Sequence, residues 1–302
     1  MGRRLARIIT IALLVVIVGL SLAGRLPMPT CLKRLTYGVK PGVIMEGRDI
    51  SGMLEMELRE WLEDENRLYA IAPVNASPDD LLRLDVQGVI PGRFGRMIDL
   101  DKTVQLALGA RRSTTLSYVI KEVAPQMTAD CYPERVIYRG NPARQEMALA
   151  INVAWGNENL DDILQVLSRH QTPATFFLVG RWVDAFPGDA KQLAQAGHEM
   201  ANHGYSDPHM KRLTKEKIIN EIKDTDRAIR NATGQSPRLF SPPYLELNDL
   251  VVQSARELDY RVVMVHVDTA DWTRPGVQKI ADRVTKSASS GAIVLAHPTE
   301  QT

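Results

Sequence analysis

From Met147 onward, short apolar runs alternate with stretches whose apolar residues recur every three or four positions. The runs MALAINVAW, ATFFLVG, HEMANHG, RLFSPPY, RVVMVHVDT and AIVLAH have the length and composition of buried strands. Helical patterns lie between them. NLDDILQVLSRH puts Leu160, Ile163, Leu164 and Leu167 on one face. PGDAKQLAQAG stops at Gly197. A long helix starts at Thr214, turns Ile218, Ile222 and Ile229 inward and stops at Gly234. NDLVVQSARELD and PGVQKIADRVTKSA complete the series. Such alternation predicts an α/β fold, a parallel sheet covered by helices. The polar residues fall at strand ends, as an α/β barrel requires. Catalytic carboxylates usually sit at those ends. After the strand that begins this region the positions hold Ala154 and Trp155, in INVAWGNE, and neither side chain can carry a proton or bind a metal.

The chain before this region has a different rhythm. Residues 36–130 predict a small α+β module. SGMLEMELREWLED has Leu54, Leu58, Trp61 and Leu62 at helical spacing, with Ser51 as N-cap. IDLDKTVQLALGA predicts a second helix that opens at Asp99 or Asp101 and closes at Gly109. Between them VQGVIPGRFGRMIDL predicts strand, Pro/Gly turn, strand. Residues 132–146, YPERVIYRGNPARQE, are polar with two prolines and a glycine and predict the linker to the second domain.

The N-terminus is the clearest non-globular feature. Arg3, Arg4 and Arg7 precede an apolar run from Ile8 to Gly24, enough for about 25 Å of helix against a bilayer core of about 30 Å. Ser21-Leu22-Ala23 offers a small-x-small cleavage site. Residues 1–27 are therefore expected to be a signal peptide or membrane anchor, with the rest of the chain exported.

Composition changes this picture little. The 302 residues carry 37 basic and 36 acidic side chains, net +1, which gives no electrostatic reason to expect a nucleic-acid partner. A hydrophobic fraction of 44% supports a sizeable core. Two cysteines, Cys31 and Cys131, are too few for a disulfide framework, although one bridge is open to them.

Short segments within residues 145–302 resemble, in order, the motifs of the polysaccharide deacetylases with NodB homology, carbohydrate esterase family 4. Members of that family usually read T-F-D-D-G; this chain reads Asn152-Val153-Ala154-Trp155-Gly156. H-[ST]-x-x-H becomes His203-Gly204-Tyr205-Ser206-Asp207, and R-x-P-[YG] becomes Ser241-Pro242-Pro243-Tyr244. D-x-x-D-W is intact as Asp268-Thr269-Ala270-Asp271-Trp272, and L-x-H as Leu295-Ala296-His297. The resemblance implies a distorted (β/α) barrel. It also implies zinc or another divalent metal, and hydrolysis of N-acetyl groups on peptidoglycan or a related amino-sugar polysaccharide. Carried over residue by residue, it implies metal ligands at His203 and Asp207. It places the acid side of the reaction at His297 with Asp268 and Asp271, and an oxyanion-stabilising backbone N–H at Tyr244. Apart from the carry-over, Trp155 and Trp272 offer aromatic faces to a sugar ring, with core packing as the alternative, and Pro243 is expected beside them at the substrate. The family's general base falls on Ala154, a third ligand on Trp155 and an orienting Arg on Ser241. His209 is a candidate replacement ligand and Glu158 a candidate replacement base. A catalytic zinc takes three protein ligands and a water, and the carried-over positions supply two. Two readings follow, a deacetylase with a rearranged site and a non-catalytic glycan-binding envelope protein.

YGVKPGVIMEGRDISGMLEMEL and VIPGRFGRMIDLDKTV resemble peptidoglycan-binding modules of surface proteins in Gram-positive bacteria; a spacer that binds nothing is the alternative. Anchor, module and INVAWGNE together resemble the sporulation-associated members of the deacetylase family. Family members continue beyond the last motif, so after His297 the resemblance implies either a truncated barrel or a naturally short last element.

Overall fold

The computed structural model describes residues 28–79, 86–143 and 145–302, together with Val16 and Gly19. The apolar run read as signal peptide or anchor thus lies, apart from those two residues, outside the described chain. Among the described residues no helix is long and apolar enough to cross a membrane.

The chain divides into two compact units, Met1–Pro73 with Phe94–Ala124, and Val74–Arg93 with Pro125–Thr302. In the first, helix Glu55–Tyr69 buries Leu58, Trp61 and Leu62 against Val39, Val43, Met45, Ile50 and Ile98. Ser51 is not its N-cap. The Ser51 hydroxyl accepts from the Gly42 N–H, and the Leu54 N–H at the helix start donates to the Glu57 carboxylate. Helix Leu100–Gly109 does open on Asp99, whose carboxylate accepts from the Lys102 N–H. Strand Ile44–Met45 pairs with Arg48–Asp49 and Thr115–Leu116, and Gly95–Ile98 pairs with Ile120–Val123.

Residues 74–93, expected in the first module, belong to the second unit. The two strands of VQGVIPGRFGRMIDL form, but not with each other. Gly88–Ile90 pairs with Ser77–Asp79. The buried Asp79 carboxylate takes both arms of Arg139 at 2.8 and 3.0 Å, and the Val86 carbonyl accepts from the Tyr138 hydroxyl. These partners lie about 60 positions apart, beyond the reach of any local pattern.

In the second unit the predicted alternation is present. The strands are β1 (Ala148–Val153), β2 (Thr175–Leu178), β3 (Glu199–Asn202), β4 (Leu239–Phe240), β5 (Arg261–Val262), β6 (Val267–Asp268) and β7 (Ile293–Ala296). All pair in parallel, in the order β5-β4-β3-β2-β1-β7-β6. Helix Leu160–Arg169 follows β1. Pro187–Gln195 follows β2, preceded by a short helix, Gly180–Ala185, that periodicity did not reveal. Lys215–Thr233 runs from Thr214 to a left-handed Gly234, as expected.

RVVMVHVDT is not one strand. It forms β5 and β6, which lie at opposite edges of the sheet. Residues 263–266 between them reach at most about 18 Å. Seven flat strands would put the edges about 29 Å apart. The sheet must therefore curl until its edges approach, which makes it an open, distorted barrel.

Side chains alternate in and out along each strand. Ile151, Val153, Phe176, Leu178 and Met200 face the helices. Ala150, Phe177, Ala201, Val263 and Ile293 form a separate inner cluster. Both sets are buried, so the strands read as continuous apolar runs.

Candidate functional site

Following the inward register past this plug leads to polar residues. Asn152 and Ala154 continue Ala150, His203 continues Ala201, and Leu295 and His297 continue Ile293. Asp268 pairs in register with Leu295. All of them line one cavity of about 660 Å³ at the carboxyl ends of the strands, together with Trp155, Asp207, Tyr244, Leu245 and Trp272. This is where an α/β barrel keeps its chemistry. A second cavity, about 610 Å³, opens at the amino ends of β4 and β5. Two of its three arginines are already paired, Arg256 with Glu134 and Arg261 with Asp130.

His203 is 4% exposed, and its Nδ1 lies 2.7 Å from the Ser241 carbonyl oxygen. A carbonyl only accepts, so Nδ1 carries the proton and Nε2 keeps its lone pair. Burial pushes the imidazole pKa down to about 4; the bond to Ser241 opposes this, and His297 adds to it. His203 is therefore neutral near pH 7.

Asp207 stands on the loop after β3 with φ +59°, a conformation Asp tolerates. Its Oδ2 accepts from the Tyr244 hydroxyl at 3.4 Å, and its charge is the main cause of that phenol's raised pKa. Tyr244 and Leu245 both have positive φ, so this loop too is held in a left-handed turn. Pro243 is buried beneath it and does not line the cavity, against the expectation that it touches substrate. His209 stacks on Tyr244, centroids 4.3 Å apart, with Nδ1 3.1 Å from Glu246 Oε1. It does not line the cavity. Glu158 does not either; its carboxylate accepts from the Asn157 N–H.

Ser241 follows Leu239 on the inward register. It is 2% exposed, and its hydroxyl has no hydrogen-bond partner among the described residues.

On the other side, His297 is 8% exposed, with Nδ1 2.8 Å from Asp271 Oδ1. Asp271, fully buried, also accepts from the backbone N–H groups of His297 and Trp272 and from the Thr302 hydroxyl. Burial raises the Asp271 pKa, but these bonds and the His297 charge outweigh it, and the net shift is downward. The family resemblance sets both Asp268 and Asp271 beside His297; in the structure it is Asp271 that bonds the ring. Asp268 lines the cavity and accepts from the Ala270 N–H at 2.7 Å. Asp271 was visible as the second Asp of D-x-x-D-W. Asn152 could have been found from its two-residue spacing to Ala154.

Two half-exposed tryptophans border the cavity, Trp155 at 53% and Trp272 at 58%. Trp155 stacks on the His297 ring at 5.6 Å and 20°.

Of the positions carried over as metal ligands, the cavity keeps the His203 Nε2 and the Asp207 carboxylate; Asp268 and His297 line it too but belong to the acid side. An indole N–H and an alanine methyl supply no lone pair at 155 and 154. Among the described residues no group of three or more His, Cys, Asp or Glu is placed to hold a metal ion. This donor set does not fit a three-ligand catalytic zinc.

The polysaccharide deacetylase family model matches residues 139–263. The YlxY protein of Bacillus subtilis, itself uncharacterized, is 34% identical over 234 residues, 78% of this chain and 72% of its own. A peptidoglycan-N-acetylglucosamine deacetylase of Bacillus cereus is 29% identical over 197 residues, 62% of this chain and 72% of its own. Among solved structures, BA3943 of Bacillus anthracis, a CE4 family pseudoenzyme, superposes with TM-score 0.65 at 37% identity. That match covers 81% of this chain and 85% of that one. A mutant of BA3943 with restored enzymatic activity matches equally, TM-score 0.65 at 36% identity. The curled parallel sheet with its cavity at the carboxyl ends is the fold of these carbohydrate esterases. The chain belongs to the polysaccharide deacetylase family, carbohydrate esterase family 4.

Proposed function

We propose that this chain is a cell-envelope member of the family that has kept the glycan cleft and lost the hydrolytic site. The observation that carries the reading is the end of β1, where Ala154 and Trp155 border the cavity opposite His203 and Asp207. Hydrolysis of an acetamide needs an activated water and a base to take its proton. A metal supplies the first by lowering the water's pKa; a carboxylate supplies the second. Ala154 cannot act as base, and the donors present fall short of a catalytic metal site. The His297–Asp271 pair is intact but has no nucleophile to serve. His203, Asp207, His297, Asp268 and Tyr244 are thus read as binding groups, with Trp155 and Trp272 as platforms for sugar faces.

The partner proposed is peptidoglycan or a related amino-sugar polymer, by analogy with the deacetylase of Bacillus cereus and the peptidoglycan-N-acetylglucosamine deacetylase PgdA of Listeria monocytogenes. The basic N-terminus and apolar run from Ile8 to Gly24 support an extracytoplasmic location, anchored or secreted. The first unit, residues 28–73 and 94–124, is proposed as a second contact with the same polymer. The test is a sedimentation assay of the full chain with purified peptidoglycan, beside an assay for released acetate. The reading expects co-sedimentation without acetate. Acetate release that His203→Ala abolishes would overturn it in favour of a rearranged metal site.

A further inference from the structure

The charge inventory of the cavity is one-sided, although the Asn152 amide and the Trp155 and Trp272 indoles supply neutral N–H donors. The Asp207 and Asp268 carboxylates only accept. The Nδ1–H groups of both histidines are turned away, that of His203 to the Ser241 carbonyl and that of His297 to Asp271. Each ring therefore leaves Nε2 for the cavity, a lone pair when the ring is neutral. Neither Nε2 has a partner among the described residues, although both residues are buried. The Tyr244 hydroxyl donates to Asp207. No lysine or arginine is among the lining residues. Arg181, whose charge reaches the Tyr244 hydroxyl, is exposed and does not line the cavity.

A neutral acetamide can meet the N–H donors, but it brings no positive charge to the Asp207 and Asp268 carboxylates. Closing a neutral ligand over carboxylates that it leaves unpaired costs enough to weaken binding roughly tenfold or more. An ammonium reverses the match, with three donors and one positive charge for two carboxylates and an imidazole lone pair. Trp155 and Trp272 add what a cation and a sugar ring both use, aromatic faces. At about 660 Å³ the space is of ordinary ligand size.

We infer that the cavity recognises a de-N-acetylated amino sugar, a glucosamine residue carrying –NH3⁺ within an amino-sugar polymer, in preference to its acetylated form. This rests on the glycan-binding reading above and refines it. Free-amine glucosamine is the chemical product of the reaction for which the deacetylase relatives are named. The chain would then act after an N-deacetylase, as a reader of deacetylated polymer.

The test is a calorimetric titration of the full chain at neutral pH, in EDTA, with a tetramer of glucosamine and with a tetramer of N-acetylglucosamine. The inference expects the glucosamine tetramer to bind at least tenfold more tightly. That preference should disappear in Asp207→Asn and weaken in Asp268→Asn, and persist in Glu216→Gln, which lies outside the cavity. Re-acetylating the glucosamine tetramer should abolish the preference without touching the protein. Equal binding, or tighter binding of the acetylated tetramer, overturns this inference and leaves the glycan reading standing. So does a preference that Glu216→Gln removes, since that would be bulk charge. Binding of neither tetramer overturns both.

Discussion

The two sides of the cavity are built by the same register and carry different chemistry. Where β6 and β7 end, Asp271 is completely buried and holds His297 by ring and backbone, with Trp272 beside it. Where β1 and β4 end, the inward positions carry Ala154 and Ser241, the latter with an unpartnered buried hydroxyl. The first side is a network in which both Asp271 oxygens and the His297 Nδ1 are bonded. The second is a neutral wall over which Trp155 leans onto His297. A buried, paired charge cannot be removed piecemeal, because the partner left behind costs several kcal/mol. Base and arginine, by contrast, can be lost together at little cost to the fold. On the reading proposed above, catalysis and stability are separable on one side and coupled on the other.

The largest effect should come from rebuilding the neutral side. The joint change Ala154→Asp, Trp155→Asp, Asp207→His and Ser241→Arg should give zinc near one per chain and acetate release from N-acetylglucosamine oligomers. The base alone accounts for roughly 10²–10⁴-fold in rate. Single changes should give neither, and any single change that does would break the comparison. The restored activity of the Bacillus anthracis relative's mutant makes this a realistic experiment.

Breaking the other side should unfold rather than inactivate. Asp271→Ala orphans the His297 ring and two backbone N–H groups and should cost about 3–5 kcal/mol in denaturant unfolding. A loss under 1 kcal/mol would mean that the network is ornamental.

Acidification gives a smaller effect. His203 is held neutral with a pKa near 4, against about 6.5 unfolded, so the unfolded chain binds the extra proton between those values. Stability should fall as pH drops from about 6.5 towards 4, by up to about 3 kcal/mol. Buried His198, shifted the same way, adds to the slope. Asp271, with its depressed pKa, contributes stability that is lost only further down, as pH falls through its folded value. His203→Gln should flatten the upper part of the profile, and an unchanged profile would place the acid sensitivity elsewhere.

Smallest is Trp272→Ala. The ring is 58% exposed, so stability should move by about 0.5 kcal/mol or less. Oligosaccharide binding should weaken roughly three- to tenfold.

Much of the second unit was legible because both chemical periods are strong there. The helix from Thr214 to Gly234 has its faces and caps written locally. The division of RVVMVHVDT into two edge strands was not legible, because all nine residues suit a strand and only closure of the sheet decides where the chain leaves it. The boundary of the first unit was hidden for a similar reason, since Asp79 finds Arg139 through space. At the site, motif order located the positions that the fold gathers around one cavity. It did not reveal which of two aspartates faces His297. Asp268 ends β6 and Asp271 follows three positions on, and only the left-handed turn at Ala270, φ +50°, sends one to the histidine and the other to its own backbone.

The most direct measurement is acetate released from peptidoglycan by the full, unmodified chain supplied with excess zinc. The account predicts none above a protein-free blank. Sustained release that disappears in the His203→Ala variant would contradict it.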